Sequence, residues 1–176
     1  MAKLAIQSET LAAGGRGVSW YKYYQDGYAY SPIDGKGEET LTWRYLQAVN
    51  HQLRTLGPII NRLTSTGVFF TTPPPVKNLP LLSGRVVQDI QSTVSPRGFS
   101  DVKPPIMVGE FQDEHGHDYV MLVNLSLEWS ANIKVSTVTP NKGKQAFSAE
   151  DGRLSPLDED NGHWLLAGHG LLVKFE

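Results

Sequence analysis

The chain has 176 residues, 40% of them apolar and 19% charged, with 17 glycines, 11 prolines and no cysteine. That composition fits one globular domain, with or without an appended helical segment, and excludes a disordered chain, disulfides, thiolate metal sites and a cysteine nucleophile. A formal net charge of -2 gives no electrostatic reason to bind nucleic acid or an anionic membrane.

The opening MAKLAIQSETLAAGG has a short apolar run broken by Gln7, Ser8 and Glu9, so it reads as neither a signal peptide nor a membrane span. Leu4, Ser8 and Leu11 are spaced as one helix face and Gly14-Gly15 supplies a stop, which predicts a short first helix. RGVSWYKYY then favours an extended strand that ends at the turn signal QDGY. Between Gly17 and Gly37 lie five of the seven tyrosines and one of the four tryptophans. Such half-polar rings suit either a buried wedge or a flat stacking surface.

Glu38 and Glu39 favour a helix N-terminus with Thr40 as its cap. From there Trp43, Leu46, Val49, Leu53 and Leu56 recur at three and four residues, the period of an amphipathic helix. Gly57-Pro58 is expected to interrupt it, leaving Ile59 to Leu63 as a second short helix at an angle.

After Gly67 the character changes. GVFFTT is β-branched and aromatic, and PPPVKNLP forbids both helix and central strand, so it reads as an extended connector. RVVQDIQ, IMVGEFQ, YVMLVNLS, ANIKVSTV, QAFSA, HWLLA and LLVKFE follow at intervals typical of an antiparallel sandwich. In YVMLVNL, Val120, Leu122 and Asn124 share one face and Met121, Val123 and Leu125 the other, which predicts a central strand. FQDEHGHDY, charged around a glycine, reads as a hairpin tip. The predicted fold class is α+β: a helix-strand-helix segment over residues 1–66 packed on an antiparallel β-sandwich over 67–176. A lone strand between two helices cannot satisfy its own edges, so this head must pack on the body or on something outside the chain.

TLAAGGRGVSWYKYY, followed by SPIDGKGEETLTWRYLQAVNHQLRTLGPIINRLTSTGVFF, resembles the end of the catalytic barrel of β-galactosidase-like and related (β/α)8 glycoside hydrolases. In that family a penultimate helix leads through a small-residue corner into the eighth strand, and a final helix of the form Y…V-N-x-x-L-x-x-L-G-P closes the barrel. The matching positions are Tyr45, Val49, Asn50, Leu53, Leu56, Gly57 and Pro58. VGEFQDEHGHDYVMLVNLS and HWLLAGHGLLVKFE are similar to the small antiparallel domain that follows such barrels. The resemblance spans nearly the whole chain, rests on order and spacing, and matches no catalytic signature. Seven of the eight barrel strands, with the family's acid/base and nucleophile positions, have no counterpart in this sequence, so the resemblance implies either the C-terminal piece of a larger hydrolase or a remnant that folds alone.

The resemblance places Trp20, Tyr21, Tyr23 and Tyr24 at the end of the eighth strand, as candidates for stacking on a sugar face. The competing use of these rings is to wedge the head against the β-body. Asp26, Asp34 and Glu9 are the nearby carboxylates; each aspartate precedes a glycine, so turn formation explains both and no acid/base pair is assigned. His115 and His117 flank Gly116 beside Asp113, Glu114 and Asp118, and a solvated hairpin tip is expected there, with no metal assigned. His163 and His169 flank a hairpin in the last strands, where a structural role is the default. No nucleophile elbow and no phosphate-cradling glycine loop occurs, and no cofactor is expected.

The function expected is that of a C-terminal structural or accessory segment of a glycoside hydrolase, not catalytic by itself. One alternative is a free-standing carbohydrate-binding β-sandwich that holds glycans through Trp129 and Trp164. The other is an assembly domain whose head is buried by a second copy. The expected partners are therefore a carbohydrate, and a barrel domain or second copy against the head, with neither nucleic acid nor membrane. The compartment stays open, since a parent hydrolase of this kind is secreted, periplasmic or neither.

Overall fold

The computed structural model describes residues 2–20, 23–24, 30–73, 78–95, 98, 100–140 and 143–176, with side chains from Gln7 onward. Its elements are α1 (Ala2–Ala12), α2 (Leu41–Ile60), β1 (Thr64–Phe70), β2 (Val87–Thr93), β3 (Ile106–Gln112), β4 (Asp118–Asn124), β5 (Ala131–Thr137), β6 (Lys144–Phe147), β7 (Leu154–Pro156), β8 (His163–Leu165) and β9 (Gly170–Phe175). Among the described residues no helix is long and apolar enough to cross a membrane.

The first helix stops where Gly14 takes a left-handed backbone (φ 85°), and the N–H of Gly15 returns to the Thr10 carbonyl at 2.8 Å. Of its expected face, Ser8 and Leu11 are buried, as is Gln7. The second helix buries Leu46, Val49, Leu56 and Ile60 on one stripe. It does not break at Gly57-Pro58, contrary to the sequence expectation, but runs on to Ile60. Pro58 removes only the bond to the Arg54 carbonyl, at a turn where both residues are exposed and the carbonyl is open to solvent. Leu56 and Ile60 meanwhile anchor the same turn in the core. Arg16 holds the end from outside, donating through Nη1 to the Ile60 carbonyl (2.8 Å) and through Nη2 to that of Leu63 (2.7 Å). Thr40 stands at the cap position with extended backbone, yet its hydroxyl donates to the Ser31 and Pro32 carbonyls and ties the incoming loop to the helix.

The strand expected over RGVSWYKYY is not formed across residues 15–20, and Tyr24 makes a single isolated bridge to Ile33. Strand propensity states that side chains fit a sheet; the backbone still needs a neighbour, and among the described residues none pairs with it. Tyr21 and Lys22, and residues 74–77 of the proline connector, lie outside the described residues.

The strands form two antiparallel sheets, one of order β1-β3-β4-β9-β6-β7 and one of order β2-β5-β8. All seven of the other expected strand runs are present, whereas β7, three exposed residues on an edge, was not foreseen. The central strand is β4, buried along its whole length. Tyr119, Met121 and Val123 pack with Leu11, Leu56 and Ile60 of the helices, while Val120 and Leu122 pack with Ile90 and Ile133 of the small sheet. The fold is thus α+β in three layers, a β-sandwich whose larger sheet carries the helices on its back. FQDEHGHDY forms the expected hairpin between β3 and β4. α1 comes so close to β3 that a Cβ on Gly109 would meet the Ala12 carbonyl oxygen at 2.1 Å.

Candidate functional site

Two rings of the tyrosine-rich segment contact α2. The Trp20 indole N–H donates to Asn50 Oδ1 at 3.3 Å, and the Tyr23 ring stands edge-on to Trp43, centroids 5.4 Å apart at 72°. Trp20 and Tyr23 therefore lean on α2 instead of wedging between the helices and the sheet, and neither belongs to a core cluster. Tyr23 is 53% and Tyr24 54% exposed. Together with Leu46, Gln47, Asn50 and Arg54, Tyr23 and Trp43 line a shallow depression of about 260 Å³. The Trp43 Nε1 is buried there and has no hydrogen-bond partner among the described residues, an unusual state for an indole N–H. Of the four ring candidates, Trp20 and Tyr23 thus contact α2, Tyr24 is exposed beside its bridge to Ile33, and Tyr21 lies outside the described residues.

The two other tryptophans are elsewhere. Trp164 is half exposed on β8, opposite Asn132 in register; Ile133 and Leu165 point into the core, so Trp164 points outward from the small sheet. Trp129, also half exposed, sits in the β4–β5 loop. Its carbonyl accepts the Asn124 side-chain amide at 2.7 Å. The same amide reaches the Leu165 and Leu166 carbonyls at 3.3 Å, while Asn124 Oδ1 accepts the Ser126 N–H. One fully buried asparagine therefore pins the loop that carries Trp129 to the turn that follows Trp164.

Of the carboxylates near the head, Asp34 and Glu9 are described. Asp26 lies outside the described residues. Asp34 Oδ1 accepts the N–H groups of Lys36 (2.8 Å) and Glu38 (2.9 Å), and these bonds, Glu38's first, hold its carboxyl below the usual range. It organises a turn, as its place before a glycine indicated. Glu9, partly buried on α1, is pushed up by desolvation.

At the β3–β4 hairpin, Asp113 Oδ1 accepts the N–H groups of His115 and His117, and Oδ2 meets His117 Nδ1 at 2.8 Å. Asp118 turns instead to Arg85. Among the described residues no group of three or more histidines and carboxylates is placed to hold a metal ion.

Sequence reasoning missed Glu110. Its carboxylate is fully buried and accepts the N–H groups of Arg85, Val86 and Val87, each at 2.9 Å, fixing the entry into β2. The available signal was an acid between Gly109 and Phe111 inside an otherwise apolar run. Its role is structural. His163 and His169 are both held below the ordinary histidine range by burial.

Comparison with protein-family models, with curated proteins and with solved structures finds no match for this chain.

Proposed function

We propose that the chain is the C-terminal accessory segment of a carbohydrate-active hydrolase resembling the β-galactosidase-like barrel enzymes, with its helical layer serving as the platform on which the rest of that enzyme docks. The observation that supports this reading most is the state of residues 16–20. They form neither helix nor strand, and among the described residues their backbone groups pair with nothing. A row of open donors and acceptors beside Trp20 is what a neighbouring strand completes. The Trp43 indole N–H, without a partner among the described residues, and the exposed Tyr23 ring beside it support the same reading.

On this reading the segment works by packing. Its inner side is committed to the sandwich through Leu11, Leu56 and Ile60, and its outer side supplies aromatic rings to whatever stands opposite. Among the described residues no acid/base pair is assembled, and the chain alone is expected not to cleave glycosides. The test is incubation of the purified chain with aryl glycosides and with plant and algal polysaccharides. Turnover that disappears in the Asp34→Asn or Asp26→Asn variant would refute the reading.

A further inference from the structure

The small sheet turns its outer face away from the helices, and along it runs a groove of about 870 Å³. Strand alternation sets its floor. Ile90 and Ile133 point into the core, so Asp89 and Gln91 of β2, and Asn132 and Lys134 of β5, point out. Register places Gln91 opposite Lys134, Thr93 opposite Asn132, and on the next strand Trp164 opposite Asn132. A carboxylate, two amides, a hydroxyl, an ammonium group and an exposed indole therefore share one face.

Part of this face is already stiffened. Asn132 Nδ2 donates to the Asn161 carbonyl at 3.1 Å, and Lys134 Nζ donates to the Asp160 carbonyl. The side chains of Asp89, Gln91 and Lys103 have no hydrogen-bond or ion-pair partner among the described residues. The charges interleave: Asp89 and Asp160 balance Lys103 and Lys134, which leaves no net field to draw in an anion.

We propose that this face binds a neutral oligosaccharide. Unengaged carboxylate, amide and ammonium groups within one groove match the paired donors and acceptors of vicinal hydroxyls. A half-exposed indole beside them matches the apolar face of a pyranose ring. Trp164 is the stacking platform, and Asp89, Gln91 and Lys103 take the hydroxyls. The groove lies on the layer farthest from α1 and α2, so this site is independent of the docking role of the helices.

Isothermal titration calorimetry of the intact chain tests it, with cello-, xylo-, manno- and β-1,4-galacto-hexaoses as ligands and inorganic phosphate as the anion control. At least one hexaose is expected to bind and phosphate is not. Gln91→Ala and Trp164→Ala are each expected to weaken the binding by about tenfold or more while circular dichroism stays unchanged. Absence of binding by all four sugars at millimolar concentration, saturable binding of phosphate in their place, or sugar binding that survives both substitutions overturns the proposal. None of these results bears on docking, because neither residue belongs to the helical layer.

Discussion

Gly109 lies directly beneath the last turn of α1, where any side chain would have to displace the carbonyl of Ala12. This single contact fixes how closely the helical layer seats on the large sheet. Gly109→Ala is expected to destabilise the chain by about 1–3 kcal/mol, the usual cost of overpacking. Urea unfolding measures it, with Gly17→Ala as a control at a position where a Cβ meets nothing. Equal midpoints for the two variants would show that the helix is not seated this way.

Glu110 holds three backbone N–H groups that precede or open β2. Glu110→Gln keeps the shape but turns an NH2 group toward N–H donors, leaving at least one of them unsatisfied. A loss of about 2 kcal/mol is expected. Faster amide exchange at Val86 and Val87 should accompany it and show where the loss arises.

Asp113 supplies the pH dependence. Desolvation opposes its ionisation, but hydrogen bonds from the His117 side chain and from the backbone of His117 and His115 outweigh it, and the carboxyl is lowered from 3.8 to about 2. A carboxyl with a lower pKa in the fold than in the unfolded chain binds fewer protons when folded. Its stabilising contribution is therefore complete above pH ~4 and is lost as the pH falls through about 2. Asp113→Asn should be the less stable protein at pH 7, with the gap closing toward pH ~2. A gap that stays constant with pH would contradict the assignment.

Arg16 joins the loop after α1 to the end of α2. Arg16→Ala is expected to cost roughly 1 kcal/mol and to fray the turn that contains Pro58. Helical amide exchange confined to residues 57–63 is the readout.

Much of this fold is legible in the sequence, for a definable reason. Elements that bury one or two faces leave a period behind, and Leu46, Val49 and Leu56 on α2 or Val120 to Val123 on β4 show it directly. What is not legible depends on neighbours. Pro58 looks like a break because its penalty is local, whereas the burial of Leu56 and Ile60 and the hold of Arg16 are tertiary. Val18 and Trp20 look like strand because propensity does not say whether a partner exists. β7 has no apolar face to reveal it. Asp89, Gln91 and Lys134 look like ordinary surface until the register of three strands brings them together with Trp164.

The docking role of the helical layer is tested most directly by amide hydrogen exchange at residues 17–20, measured in the isolated chain and in the polypeptide as its source produces it. Open backbone groups in the isolated chain should exchange at nearly unprotected rates. In the natural polypeptide the same amides should be slowed by about a hundredfold or more, because a neighbouring strand pairs with them. Identical exchange in the two would mean that nothing docks there.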